Sequence, residues 1–438
     1  MKKTLILGWG KSGKSACGLL RRLGREVVCF DDAEGDPVDG DVENRRGMSL
    51  ENVLEDIETV VVNPAVPVTH PVIRGAKAKG IEVISEIELG YRCCNGNLVA
   101  VTGTNGKTTT VTLIKDIFTS AGIEAYALGN IGVPFSSEAD KLAGAVAVLE
   151  ISSFQLETTV IFAPRFAVCL NVTPDHIERH KTFEEYTRLK AKLFENQSEK
   201  DFALLNADDP VVSSFAVHIR SEIFWFSVNK KVKGAYIENG EIFFDDGKTR
   251  ESICAVNEVP LKGNHNLSDV LAAVLVAKLY GIKSDKIALA VKSFRPPRYR
   301  IELIKTLKDL KIYNDSKSTN IDSTVRACEA MDGETTLIVG GWDKKISYES
   351  FFARLPEKVV HIVCCGDNSD EIIKWAPDDA SYSVVKTATL ERAVEISLAY
   401  KDSKNLLFSP STSSFDRYTD YVQRGRHFDV IIKALANG

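Results

Sequence analysis

An apolar run at 98–101 stops at Gly103-Thr104-Asn105-Gly106-Lys107-Thr108-Thr109, and a pattern of helical length and periodicity starts at Thr109. A strand that must turn at once into a helix through two glycines belongs to an α/β fold with a parallel sheet. Such a turn gathers backbone N–H groups and the positive end of a helix around one point, the arrangement that grips a phosphate. Gly103, Thr104, Asn105, Gly106 and Thr109 would then surround the phosphates of a nucleoside triphosphate. Lys107 would reach its terminal phosphates and Thr108 would offer a hydroxyl to Mg²⁺. Position 101 is Val, so the longer form with four residues between the glycines is not met. The shorter Gly-x-x-Gly-Lys-Thr carries the reading.

About 95 residues precede this loop. They contain strand patterns at 4–7, 26–30 and 59–62 and a helical pattern at 12–23, which predicts a complete α/β unit. Within it, Gly8-Trp9-Gly10-Lys11-Ser12-Gly13 fits the dinucleotide fingerprint, with Asp31 and Asp32 near the offset of a ribose-binding acid. That fingerprint serves NAD or any other diphosphate joined to a ribose. Beyond the loop, strand patterns recur at 145–149, 166–170 and 202–205, and Asn239-Gly240 predicts a hairpin turn within 235–244. A helix over 267–280 ends at Gly281. Pro296-Pro297 then breaks the chain, and strands at 311–313, 335–339, 359–364 and 405–408 predict a third unit. The expected organisation is three domains, 1–95, 96–297 and 298–438.

Composition closes off other classes. A net charge of −5 over 438 residues gives no basic surface for nucleic acid. No stretch reaches the roughly 18 apolar residues of a membrane span. Nine cysteines without a Cys-x-x-Cys pair read as reduced thiols, so a cytoplasmic location is expected.

Further strings occur in order along the chain: Leu149-Glu150-Ile151-Ser152-Ser153-Phe154-Gln155, Asn171-Val172-Thr173-Pro174-Asp175-His176, Asn206-Ala207-Asp208-Asp209, Gly263-Asn264-His265-Asn266 and Asn314-Asp315-Ser316-Lys317-Ser318-Thr319-Asn320. Together with the phosphate loop they resemble the Mur ligases of bacterial cell-wall synthesis. The resemblance implies an N-terminal Rossmann-like domain, a central P-loop ATPase-like parallel sheet with extra β elements, and a C-terminal Rossmann-like domain. It also implies ATP-dependent amide formation through an acyl phosphate, by a monomer. Gly340-Gly341-Trp342-Asp343-Lys344-Lys345 and Ser409-Pro410-Ser411-Thr412-Ser413-Ser414-Phe415-Asp416 point to D-glutamate as the amino acid and UDP-N-acetylmuramoyl-L-alanine as the acyl donor. A family member adding another amino acid, and a non-catalytic nucleotide-binding relative, are the alternatives.

By that resemblance, Thr108 and Glu150 would hold one Mg²⁺. His176 and a carbamylated lysine would hold a second, the lysine being Lys190 by alignment through Tyr186-Thr187-Arg188-Leu189-Lys190, with Lys192 close by. Lys107, Asn130 and Arg300 would join His176 and Lys190 in catalysis, with Asn130 orienting the acyl substrate. Asn266 and Asp269 would meet the adenine, and Arg300 and Asp315 the phosphate and ribose. Lys317, Thr319, Lys345, Ser414, Phe415 and Tyr421 would bind D-glutamate, while Ser12, Asp31 and Asp32 would hold the uridine diphosphate. The chain departs from the family's habit at Asp269 (often Asn), Tyr299 (often His), Ala33 (Arg in some relatives) and Asn63-Pro64-Ala65 (commonly Ser-Pro-Gly).

Overall fold

The computed structural model describes residues 2–32, 42–261, 263–377 and 381–435. Ala33 lies outside the described residues. Three sheets organise the chain, in two compact units: Met1–Pro260 with Asn266–Arg295, and Leu261–His265 with Pro296–Gly438.

The first sheet has five parallel strands in the spatial order Glu43–Asn44, Val27–Phe30, Lys3–Leu7, Ile57–Val62, Glu82–Ser85. Strand order reverses between Lys3–Leu7 and Ile57–Val62, so the loops leaving their carboxyl ends diverge and open a crevice. The Gly8–Gly13 turn occupies that crevice. A Cβ on Gly13 would lie 2.0 Å from the Gly8 carbonyl oxygen, so only glycine lets helix Lys11–Arg22 pack this close to the strand.

The second sheet has nine strands, with Asn97–Thr102 between Phe166–Cys169 and Val146–Glu150. Leu98, Val99, Ala100 and Val101 are all buried, as a strand covered on both faces requires. At the far end, Gly234–Glu238 and Glu241–Asp245 pair antiparallel. Asn239 and Gly240 both have positive φ, 52° and 77°, as the tight hairpin turn demands. Strands Glu82–Ser85, Ala125–Gly129 and Glu222–Ser227, not singled out in the sequence reading, also belong to these sheets.

Helix Glu86–Cys93 joins the first two sheets through buried carboxylates. The Glu88 side chain, fully buried, accepts amide hydrogens from Val160 (2.8 Å), Ile161 (3.1 Å) and Phe162 (3.0 Å), and Arg92 Nε donates to it at 2.9 Å. Glu86 Oε1 accepts from the Ser136 amide at 2.6 Å, and Arg22 grips Asp140 with Nε and Nη2 at 2.9 and 2.8 Å. Removing the Glu88 carboxylate leaves those buried or part-buried N–H groups and the Arg92 guanidinium without their acceptor. Glu88→Ala should therefore cost about 3–5 kcal/mol, read as a lower urea midpoint.

The second unit carries a six-stranded sheet, parallel except for its edge strand Glu302–Leu307. Helices Ile321–Glu329, Glu349–Phe352 and Ser369–Lys374 contribute Val325, Phe351 and Ile372 to the core on one face. Leu390–Ala399 and Tyr421–Leu435 contribute Val394 and Phe428 on the other. Loops after Thr335–Val339 and Asn405–Phe408 meet at the carboxyl edge of this sheet.

Candidate active site

The phosphate loop leaves strand Asn97–Thr102 and enters helix Lys107–Ser120, with Gly106 as the left-handed N-cap at φ 86°. A Cβ there would lie 2.1 Å from Asp269 Oδ1, so glycine is needed for both conformation and space. The loop is fastened to the segment after Phe166–Cys169. Asn171 Oδ1 accepts from the Asn105 amide at 2.9 Å, and Asn171 Nδ2 donates to the Asn105 carbonyl at 3.1 Å. Thr104 Oγ1 lies 3.0 Å from the Tyr186 hydroxyl and donates to the Thr173 carbonyl at 3.1 Å. Asn171, Thr173 and Tyr186 are thus loop supports; two sit inside a motif string that gave no hint of this role.

Two lysines converge on the loop. Lys107 Nζ donates to the Gly103 and Thr104 carbonyls at 2.7 and 2.8 Å. Lys190 Nζ, 1% exposed as a residue, donates to the same Gly103 carbonyl at 2.8 Å and sits 4.5 Å from the Tyr186 ring centroid. Burial, with the charge of Lys107 second, pushes the Lys190 amine down to about 7. Lys192 is engaged elsewhere: its Nζ donates to the carbonyls of Leu156 and Thr159 at 3.1 and 2.6 Å.

At the neighbouring strand end, the buried Glu150 carboxylate receives the Thr108 hydroxyl on one oxygen and Asn130 Nδ2 on the other, each at 2.8 Å. An acidic oxygen beside a threonine hydroxyl at a phosphate loop is the donor set a partly hydrated Mg²⁺ takes. Thr109 is buried with no partner for its hydroxyl. Among the described residues no three His, Cys, Asp or Glu side chains cluster as a metal site. His176 has φ 54°, its ring centroid lies 4.9 Å from that of Phe154, and its Nδ1 and Nε2 lie 3.6 and 3.8 Å from carboxylate oxygens of Glu178 and Asp175. Asn266 is half-buried in the first turn of helix Asn264–Tyr280, one turn before Asp269, which is buried against the phosphate loop.

In the first sheet's crevice, Asp31 accepts the Trp9 amide and so closes the glycine turn. Asp32 lies 2.9 Å from His70 Nε2, and Ser12 is half-buried at the start of its helix.

In the second unit, Asp315 is buried. It accepts from the Ile301 amide at 3.1 Å and the Ser409 hydroxyl at 2.7 Å, and burial pushes its carboxyl up to about 6. Arg300 is half-buried next to Ile301. Lys317 Nζ sits 4.0 Å from the Tyr421 ring centroid. Trp342 donates its amide to the Ser413 carbonyl (3.0 Å) and receives the Thr412 hydroxyl on its carbonyl (2.6 Å), zipping two loops together. Ser414 is buried and Phe415 exposed, its ring edge-on to Trp342. Lys344 Nζ donates to the Thr319 carbonyl at 3.0 Å. Lys345 is exposed and takes the left-handed conformation at φ 53°, which turns the chain just after Lys344.

The family profile of the Mur ligase middle domain matches residues 101–277, and that of the MurD-like N-terminal domain of Mur ligases matches residues 2–85. The UDP-N-acetylmuramoylalanine--D-glutamate ligase of Thermoanaerobacter pseudethanolicus is 36% identical, over 99% of this chain and 98% of its own. The enzyme of that name from Koribacter versatilis is 37% identical over 99% and 98%. Among solved structures, a pseudomurein peptide ligase type C from Methanothermus fervidus superposes with a TM-score of 0.62 at 18% identity, covering 99% of this chain and 100% of that one. The MurF ligase of Thermotoga maritima in complex with ADP gives 0.62 at 17% identity, covering 99% and 96%. The chain belongs to the Mur ligase family, in the branch of the UDP-N-acetylmuramoylalanine--D-glutamate ligases.

Proposed function

We infer that the protein joins D-glutamate to UDP-N-acetylmuramoyl-L-alanine at the expense of ATP, as a cytoplasmic monomer of three domains, 1–95, 96–297 and 298–438. The observation that supports this most is the convergence of Lys107, Lys190 and the Glu150–Thr108–Asn130 cluster on one phosphate loop. The alanine carboxylate takes the γ-phosphoryl group of ATP and ADP leaves. The D-glutamate nitrogen then attacks the acyl carbon, the phosphate leaves, and the amine gives up its proton.

Both steps concentrate negative charge on phosphate oxygens, and fixed cations in a water-poor site stabilise it. Lys107 turns from its own loop carbonyls to the phosphates, and Asn130 orients the acyl group from the edge where it now holds Glu150. Thr108 and Glu150 would hold a first Mg²⁺. His176 and Lys190, if carbamylated so that an amine becomes an oxygen ligand, would hold a second. Both ions would offset phosphate charge. Gly103, Thr104, Asn105, Gly106 and Thr109 line the phosphates, Asn266 and Asp269 the adenine, and Arg300 and Asp315 the phosphate and ribose. Ser12, Asp31 and Asp32 serve the uridine diphosphate.

For the amino acid we assign Lys344 in place of Lys345, beside Thr319, Lys317, Ser414, Phe415 and Tyr421. Two ammonium groups suit the two carboxylates of D-glutamate. Lys344→Ala should raise KM for D-glutamate by about tenfold or more, consistent with one lost charge-assisted contact, whereas Lys345→Ala leaves it near the parent value. Steady-state kinetics of the two variants decides the assignment; equal effects would overturn it. The reaction itself is tested by phosphate release from ATP with UDP-N-acetylmuramoyl-L-alanine and a panel of amino acids. Release with D-glutamate alone is the expected result, and release only with another amino acid would sink the reading.

A further inference from the structure

Arg179 spans two places that the reaction keeps apart. Its guanidinium donates Nη2 to the carbonyls of Pro64 (3.3 Å) and Val66 (2.8 Å) and Nη1 to that of Ala65 (3.2 Å). Those three carbonyls belong to the loop that leaves strand Ile57–Val62 at the mouth of the first crevice. Asn63, which begins the loop, packs on the glycine turn: a Cβ on Gly10 would lie 2.8 Å from Asn63 Nδ2, and one on Gly8 2.7 Å from Asn63 Cβ.

The other side of the same guanidinium faces the second sheet. Nε and Nη2 hold both oxygens of Glu157 at 3.0 and 2.6 Å, and the group lies 4.9 Å from the Phe154 ring centroid. Phe154 also meets the rings of His176 and His180, at 4.9 and 5.3 Å. Arg179 and His176 share one short helix, Ile177–His180, with His176 as its left-handed N-cap. The side chains of Arg179 and Glu157 are 15% and 7% exposed, so the ion pair sits largely out of water.

Three successive carbonyls turned toward one place need a donor with several N–H groups in a plane. A guanidinium meets that demand while pairing a carboxylate, and an ammonium does not. We propose that Arg179 is a positioning residue that locks the Asn63–Val66 loop of the nucleotide-sugar crevice to the helix capped by His176. Holding the substrate's nucleotide end and placing the catalytic histidine then depend on a single side chain. This rests on the acyl donor assigned above.

The test uses the full chain with Arg179→Lys and Glu157→Gln, and three readouts. Calorimetry with UDP-N-acetylmuramoyl-L-alanine in EDTA and without ATP gives Kd; kinetics give the half-saturating Mg²⁺ concentration and KM for each substrate; a melting curve gives Tm. Arg179→Lys should weaken substrate binding and raise the Mg²⁺ requirement together, each by about tenfold or more, the scale seen when a group supporting a ligand is lost. KM for D-glutamate stays near the parent value. Glu157→Gln, which leaves the carbonyl contacts in place, should move both quantities the same way by less. A lower Tm with unchanged Kd and Mg²⁺ requirement in both variants would make Arg179 merely structural and overturn the proposal. Loss of substrate affinity without any change in the Mg²⁺ requirement would overturn the link between the two ends. If the parent chain binds no UDP-N-acetylmuramoyl-L-alanine, the assigned function fails, and this inference with it.

Discussion

Lys107→Met should reduce kcat by about 10³-fold or more, because a cation that meets the transferring phosphoryl group contributes on the scale of other charged groups at such transition states. The variant should still fold. Lys107 Nζ donates to the Gly103 and Thr104 carbonyls of its own loop. Its melting temperature should stay within about 2 °C of the parent, since a partly buried loop contact contributes little to stability. A kcat reduced by less than about tenfold would place the phosphates elsewhere.

The second large effect belongs to Lys190. Its Nζ is buried against the Gly103 carbonyl beside Lys107, and burial holds the amine down to about 7. A substantial neutral fraction near neutral pH is what lets an amine add CO₂, and a carbamate would replace a costly buried cation with an anion next to Lys107. Lys190→Ala should lower kcat by about 10²–10³-fold, the cost of removing one charged group from a preorganised phosphate site. Formate or acetate should restore part of the rate by supplying an oxygen anion in the vacated space. Lys192→Ala should keep most of the activity, because Lys192 is tied to the Leu156 and Thr159 carbonyls. Full activity in Lys190→Ala, with no response to carboxylic acids, would remove the carbamate from the mechanism.

The elements that sequence made plain are those whose pattern is local. The phosphate loop shows itself because glycines, lysine and threonine must follow one another at fixed spacing, and the Asn-Gly hairpin because both turn residues need positive φ. What stayed hidden depends on partners distant in the chain. Nothing in 171–173 announces that Asn171 braces Asn105, and nothing around 344–345 says which lysine turns inward. The left-handed backbone at Lys345, a conformation lysine rarely takes, accompanies the inward turn of Lys344, and no periodicity reveals it. Asp31 closes the glycine turn and Asp32 pairs with His70, contacts that the spacing which singles out both acids does not reveal. The string 186–190 singles out Lys190, whereas the burial that separates it from the half-buried Lys192 depends on packing.

Glu88 carries a consequence for anyone who cuts or recombines this protein. A fragment starting at residue 96 loses the acceptor of the Val160, Ile161 and Phe162 amides, and the complementary piece exposes a carboxylate shaped for them. Neither half should behave well when expressed alone. Chimaeras with a relative's nucleotide-sugar module will need residues 86–93 inherited from the same parent as 134–162. A crossover between Arg295 and Pro296, where the two compact units divide, makes no such demand on this seam.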